Sequence, residues 1–244
     1  MSAWPGGEAS VAGAVVEARA VVKVFHGGDG GEVRVLEGVD LAVGRGEMVA
    51  IIGASGAGKS TLLHVLGALE PATSGEVRLA GQRVSALADD QLAALRNRSV
   101  GFVFQFHHLL KEFSALENVM MPLRIAGQTG AAARRRAEWL LERVGLSARL
   151  HHRPAELSGG EQQRTAVARA LAMEPPLILA DEPSGNLDHH SAEALHDLFA
   201  ELGRELALAL VVVTHNRSLA ARAGRVLLLE DGSLRDNSVS EGAV

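Results

Sequence analysis

Gly53-Ala54-Ser55-Gly56-Ala57-Gly58-Lys59-Ser60-Thr61 is the stretch whose reading decides the fold. It fits G-x-x-x-x-G-K-[ST], with the apolar run Met48 to Ile52 before it and Lys59 to Leu69 in helical period after it. Strand, glycine loop and helix in that order make the phosphate-binding core of an α/β fold, a P-loop. Glycines let the backbone wrap a phosphate chain closely, and the loop amides act with the positive end of the helix to stabilise the anion. Lys59 is placed to reach the β- and γ-phosphates, and the Ser60 hydroxyl to ligate Mg²⁺. The chain holds three lysines against 21 arginines, so composition alone does not put a lysine here. A compact ammonium suits such a cradle where a broad planar guanidinium does not.

Two further stretches lie downstream. Leu177-Ile178-Leu179-Ala180-Asp181-Glu182 is an apolar strand that delivers two adjacent carboxylates to its terminus, the usual ligand crevice of a parallel sheet. Alternation sends the two in different directions: Asp181 is assigned to the metal and Glu182 to the general base. Leu157-Ser158-Gly159-Gly160-Glu161-Gln162-Gln163-Arg164 carries a capping-box spacing, Ser158 to Glu161. A structural cap explains that much by itself, yet a glycine-cleared helix end with a serine hydroxyl is also an anion site. One nucleotide and two phosphate sites are most simply reconciled by a dimer in which each helix end completes the site of the other chain.

The rest of the chain frames these motifs. Ala20 to Phe25 and Val33 to Val43 read as an antiparallel sheet at the domain edge, and Glu76 to Val84 as further strands. Val100 to Phe104 reads as a buried strand. Helices are expected over Leu116 to Ala126, Ala131 to Val144, and Ser158 to about Met173, forming an inserted helical subdomain from about 108 to 174. Strands resume at Leu177 to Ala180, Ala207 to Val213 and Arg225 to Leu229, with a helix from Ser191 to Leu206, and Asp231-Gly232 marks a terminal hairpin. Residues 1–17, Gly/Ala-rich and without a basic flank, are expected to be a disordered leader, and 18–244 a single domain.

Composition excludes several classes. At 244 residues, 47% hydrophobic and 22% charged, the chain has the make-up of an ordinary globular protein. Its longest apolar run, Leu206 to Val213, falls well short of the roughly 20 residues that span a bilayer, so a soluble or peripheral protein is expected. With no cysteine it has no disulfide and no thiolate metal site. A net charge of −5 argues against a nucleic-acid surface, and Arg134-Arg135-Arg136 reads as a solvated helix face.

Gly53 to Thr61, Leu157 to Glu161 and Leu177 to Glu182 together resemble the Walker A, signature and Walker B motifs of ATP-binding cassette (ABC) ATPases. The resemblance implies a RecA-like P-loop NTPase core with an N-terminal antiparallel β subdomain and the inserted helical subdomain, binding ATP and Mg²⁺ in a two-copy sandwich. It implies roles for further residues. Phe25 matches the aromatic that stacks on adenine, and Gln105 the glutamine that senses Mg²⁺ and the attacking water. Ser184-Gly185-Asn186-Leu187-Asp188 matches the D-loop, and His215 the histidine that contacts the γ-phosphate.

After Gln105, Phe106-His107-His108-Leu109-Leu110 with Ala115-Leu116-Glu117-Asn118-Val119 and Met121-Pro122-Leu123 closely resembles the ATP-binding subunits of bacterial lipoprotein-releasing systems, the LolD type. Leu63-His64, His152-Arg153-Pro154 and Ala180-Asp181-Glu182-Pro183 continue the likeness. This implies a peripheral protein on the cytoplasmic face of the inner membrane, touching two integral permease subunits through the segment after Gln105 and the lipoprotein not at all. ATPases of macrolide-type exporters and cell-division complexes have similar subunits. Soluble cassette ATPases carry long coiled-coil insertions or tandem cassettes, neither of which occurs in these 244 residues.

Overall fold

A computed structural model describes residues 13–28 and 31–237. A four-stranded antiparallel sheet is formed by β1 (Ala14–His26), β2 (Glu32–Gly44), β4 (Ser74–Leu79) and β5 (Gln82–Arg83), in the order β2-β1-β4-β5. A six-stranded sheet contains β3 (Met48–Ile52), β6 (Val100–Phe104), β7 (Leu177–Asp181), β8 (Ala209–Val213), β9 (Arg225–Glu230) and β10 (Ser233–Asp236). Its order is β10-β9-β3-β8-β7-β6, parallel except for the β9–β10 hairpin.

Register fixes where the ligand edge lies. Ile51 of β3 pairs with Val213 of β8, Val213 with Asp181 of β7, and Asp181 with Phe104 of β6. These four residues form one row across the sheet, about 4.8 Å from strand to strand. Every chain segment that leaves this row does so on the same edge, so the loops after β3, β6, β7 and β8 gather along it.

Both faces of the parallel sheet are covered, which is why its strands read as unbroken apolar runs. Leu177, Leu179, Val211 and Val213 face a cluster that includes Val16, Val43, Leu62 and Leu66. Ile178, Ala180, Leu210 and Val212 face another that includes Leu140, Val167, Phe199 and Leu202. The period of two in β7 and β8 thus serves two cores at once. Helix α1 (Lys59–Leu66) lies on the first side. On the second lie α3 (Ala115–Ile125), α4 (Gly130–Arg143) and α5 (Gly159–Ala170), all between β6 and β7, and α6 (His189–Glu205) between β7 and β8.

Two elements differ from the sequence expectation. Of the expected leader over 1–17, residues 1–12 lie outside the described residues, but Ala14 to Glu17 begin β1, with Val15 and Val16 buried and Val16 paired with both Val43 and Leu79. Three valines at 11, 15 and 16 diluted among small residues gave no legible strand period, and partner strands supply the burial. Helix α2 (Asp89–Ser99) was not anticipated: of its residues only Leu95 and Ser99 are buried, so it has no apolar stripe to read. A short α7 (Arg217–Ala220), capped by Asn216 through the Leu219 amide, follows β8.

Candidate functional site

The loop after β3 is shaped by glycine. Gly58 caps α1 at φ 96°, and a Cβ there would stand 2.9 Å from the Val35 carbonyl oxygen. At Gly53 a Cβ would stand 2.4 Å from the Leu229 carbonyl oxygen, so β9 and β2 close on the loop as no larger residue permits. Lys59 Nζ donates to Gly53 O at 3.0 Å and Ala54 O at 2.8 Å, which centres the ammonium inside the loop. Val33, Val35, Ala54, Ala57, Leu229 and Gly232 line a groove of about 480 Å³ beside it. Phe25 pairs with Val33 across the β1–β2 ladder and is 39% exposed, with Lys23 Nζ 4.7 Å from its ring centroid.

Glu182 follows β7 in a left-handed conformation, φ 45°, uncommon for a residue with a side chain. Its surroundings hold it there. The Glu182 amide donates to Val213 O at 2.9 Å, and its carboxylate accepts from the His215 amide at 3.1 Å and the Thr214 hydroxyl at 3.3 Å. His215 Nδ1 lies 2.8 Å from Glu182 Oε1, so the imidazole carries its proton on Nδ1 toward the acid. Asp181 and Ser60 stand apart from this web: among the described residues, neither side chain makes a hydrogen bond.

Gln105 leaves β6 at the next position of the row. Its Nε2 donates to Asn186 Oδ1 at 2.9 Å and its carbonyl accepts from Asn186 Nδ2 at 3.2 Å, which joins the loop after β6 to that after β7. Beyond it, the chain is gripped by α5. Gln163 donates to Phe104 O, and Arg169 donates to both His107 O and His108 O. His107 Nε2 donates to Gly159 O at 3.2 Å, and burial, followed by the positive charge of Arg169, holds its imidazole below the usual histidine range. Phe104 packs edge-on against His64 and His108. Gln163 belongs to the stretch Leu157 to Arg164 but nothing in that stretch points to Phe104, and no motif or spacing singles out Arg169.

Ser158 caps α5 as its spacing predicts: its hydroxyl accepts from the Glu161 amide at 3.3 Å, and Glu161 Oε2 accepts from the Ser158 amide at 2.8 Å. Arg149 Nε donates to Glu161 Oε1 at 2.8 Å and, with the Ser158 amide, lowers the Glu161 carboxyl to about 2. A carboxyl depressed in the folded state contributes stability that is fully present above the unfolded value of about 4.3 and is lost as pH falls through about 2. Carbon-13 NMR of the Glu161 carboxyl should therefore show a titration near 2 that moves up toward the ordinary range in Arg149→Leu.

The structure brings Gly53 to Thr61, Gln105, Asp181, Glu182 and His215 to one sheet edge. It does not bring Ser158 to Glu161 there: among the described residues no hydrogen bond joins them to Gly53 to Thr61, and Gly159 and Gly160 instead face Leu187 and Ser191. As for a metal, no group of three His, Asp or Glu side chains among the described residues is arranged to hold one. The unpartnered Ser60 hydroxyl and Asp181 carboxylate are hard oxygen donors that fit Mg²⁺, which takes one or two protein ligands and completes its shell with phosphate and water.

Comparison with known proteins agrees with this geometry. Residues 36–185 match the family model described as "ABC transporter". The lipoprotein-releasing system ATP-binding protein LolD of Xylella fastidiosa (strain Temecula1) is 53% identical over 95% of this chain and 96% of its own length. Its counterpart in Xanthomonas campestris pv. campestris (strain 8004) is 55% identical over 94% of this chain and 95% of its own length. The ATP-binding cassette MJ0796, in a dimeric post-hydrolysis state bound to ADP and Pi, superposes with a TM-score of 0.83 at 38% identity, over 91% of this chain and 98% of that one. On the family match and on relatives that align along nearly its whole length, this chain belongs to the ATP-binding subunits of ABC transporters.

Proposed function

We propose that this protein is the ATP-hydrolysing subunit of a lipoprotein-releasing ABC transporter. The observation that carries the reading is the row Ile51, Val213, Asp181, Phe104, which collects a phosphate loop and three catalytic candidates at one edge while leaving the Ser158 helix end elsewhere. One ATPase domain runs from Ala14, with α3 to α5 as its helical subdomain.

Each residue then has a task. Lys59 exchanges the Gly53 and Ala54 carbonyls for β- and γ-phosphate oxygens, and the amides of Gly53 to Thr61 wrap the phosphates. Phe25 stacks on the adenine. Ser60, Asp181 and Gln105 would hold Mg²⁺, which would neutralise charge on the phosphates. Glu182 accepts a proton from the attacking water, and His215 keeps that carboxylate oriented and faces the γ-phosphate. Ser158, Gly159, Gly160 and Glu161 act on the ATP held by a second copy, an arrangement supported by the dimeric MJ0796 cassette.

The likeness to LolD proteins supports a peripheral place on the cytoplasmic face of the inner membrane, and no helix among the described residues is long and apolar enough to cross a membrane. Two permease subunits dock on the segment after Gln105. Phe106 on this segment is 66% exposed, and Ile125, 69% exposed, lines a groove of about 400 Å³ together with Leu69, Phe102, Phe104, Pro122 and Arg169. Identity above 50% with LolD proteins across nearly the whole chain favours lipoprotein release over macrolide export or cell division. Copurification with membrane subunits, identified by mass spectrometry, tests the assignment. Phe106→Asp should abolish that copurification and lipoprotein release while ATPase of the isolated subunit stays within about twofold, the usual outcome for a solvent-facing change. Permeases of an exporter for small molecules would overturn it.

A further inference from the structure

His196 is wholly buried on α6, 0% exposed, and no step above uses it. A buried imidazole needs a reason, because an unpaired polar group in a core is costly. Its Nε2 lies 2.9 Å from Ser184 Oγ, itself buried, two positions beyond Glu182 in the loop that carries Asn186 and Asp188. Its Nδ1 stands 3.4 Å from Glu193 Oε1 without a hydrogen bond.

Those contacts fix the tautomer. A lone pair on Nδ1 would point at the Glu193 carboxylate, so the proton belongs on Nδ1, and Nε2 accepts from the Ser184 hydroxyl. Burial, the largest effect, pushes the imidazole below its ordinary range and keeps it neutral despite Glu193.

Glu193 carries a second connection, to the segment after β8. It accepts from Ser218 Oγ at 2.6 Å and from Arg222 Nη2 at 2.7 Å, and Arg222 also pairs with Asp197. Ser218 lies three residues beyond His215, whose amide and ring hold Glu182. Helix α6 therefore grips both segments that hold Glu182: the one after β7 at Ser184 through His196, and the one after β8 at Ser218 through Glu193. Glu182 needs such bracing, since its left-handed backbone persists only where neighbours over-determine it.

We propose that His196 is a positioning residue for ATP hydrolysis, holding Ser184 and through it the left-handed Glu182 backbone in the geometry that aims the carboxylate at water. The proposal rests on Glu182 as the general base. It goes beyond that reading by placing part of the base's orientation in a buried helix that touches neither nucleotide nor metal.

The test is steady-state ATPase of the full chain, with His196→Phe, His196→Gln, Ser184→Ala and Glu182→Gln assayed together and a fluorescent ATP analogue used to measure binding. Displacing a catalytic group by about 1 Å costs on the order of 10²-fold, so His196→Phe is expected to lose about 10- to 100-fold in kcat with KM and analogue binding unchanged. His196→Gln, which can place an acceptor where Nε2 lies, is expected to recover most of the rate. Ser184→Ala should lower kcat comparably, and the double variant Ser184→Ala/His196→Phe should be no worse than either single one, because both remove the same bond. A normal kcat in folded Ser184→Ala overturns the proposal even if His196→Phe does not fold. So does a His196→Phe variant that loses thermal stability alone. The two hypotheses separate on Glu182→Gln: if it turns over normally, the base assignment fails; if it is inactive while His196→Phe and Ser184→Ala keep full kcat, only the positioning role fails.

Discussion

Glu182→Gln is expected to lower ATP turnover by about 10²- to 10⁴-fold, the range spanned by general bases, with nucleotide affinity little changed. Glutamine has the same length: its oxygen in the Oε2 position can still accept from the Thr214 hydroxyl and the His215 amide, and its NH2 in the Oε1 position can donate to His215 Nδ1 once that ring carries its proton on Nε2, so the web around position 182 survives. It cannot take a proton from water. The backbone at φ 45° is no harder for glutamine than for glutamate, so a collapse of the loop is not the expected cause. ATP should remain bound and the closed dimer accumulate, which size-exclusion chromatography with ATP detects. Normal turnover in this variant would falsify the assignment of the base and shift attention to His215.

Much of this site could be read from residues alone, and the reason is local. Gly53 to Thr61 and Leu177 to Glu182 carry their geometry in consecutive positions: a strand ends, a loop turns, and the next side chains must project from the sheet edge. The four apolar runs are legible as strands, but that Ile51, Val213, Asp181 and Phe104 lie in one row depends on strand order and register, which only the folded sheet supplies. What escaped reading is long-range. Arg169 holds His107 and His108 across some sixty positions, and Gln105 meets Asn186 across eighty-one. His196 is one of ten histidines, and no period or spacing distinguishes it until α6 is folded against the loop after β7. The start of β1 was missed for a related reason: Val15 and Val16 become core residues only because β2 and β4 flank them.

Ser158→Arg is expected to reduce turnover by about 10²-fold or more, comparable to removing a hydrogen-bond donor to a reacting phosphate, while the isolated chain still binds ATP. Loss of the cap contributes little to this. Removing a Ser N-cap costs about 1 kcal/mol of helix stability, and Ser158→Ala bears that same cost without adding bulk or charge. A large gap in turnover between the two variants therefore reports on the surface that Ser158 presents, not on the integrity of α5. The sharper measurement mixes two inactive proteins, Lys59→Ala and Ser158→Arg. If each site pairs the phosphate loop of one copy with the serine helix end of the other, the mixed dimer has one site with both defects and one with neither. With random pairing and independent sites, mixing should restore roughly a quarter of normal activity. If Ser158 serves only the ATP of its own chain, every site in every dimer keeps a defect and mixing restores nothing. The capping box at Ser158 and Glu161 is compatible with both outcomes, since its hydrogen bonds close within four residues. Only a helix end that works in trans can make two dead subunits active together.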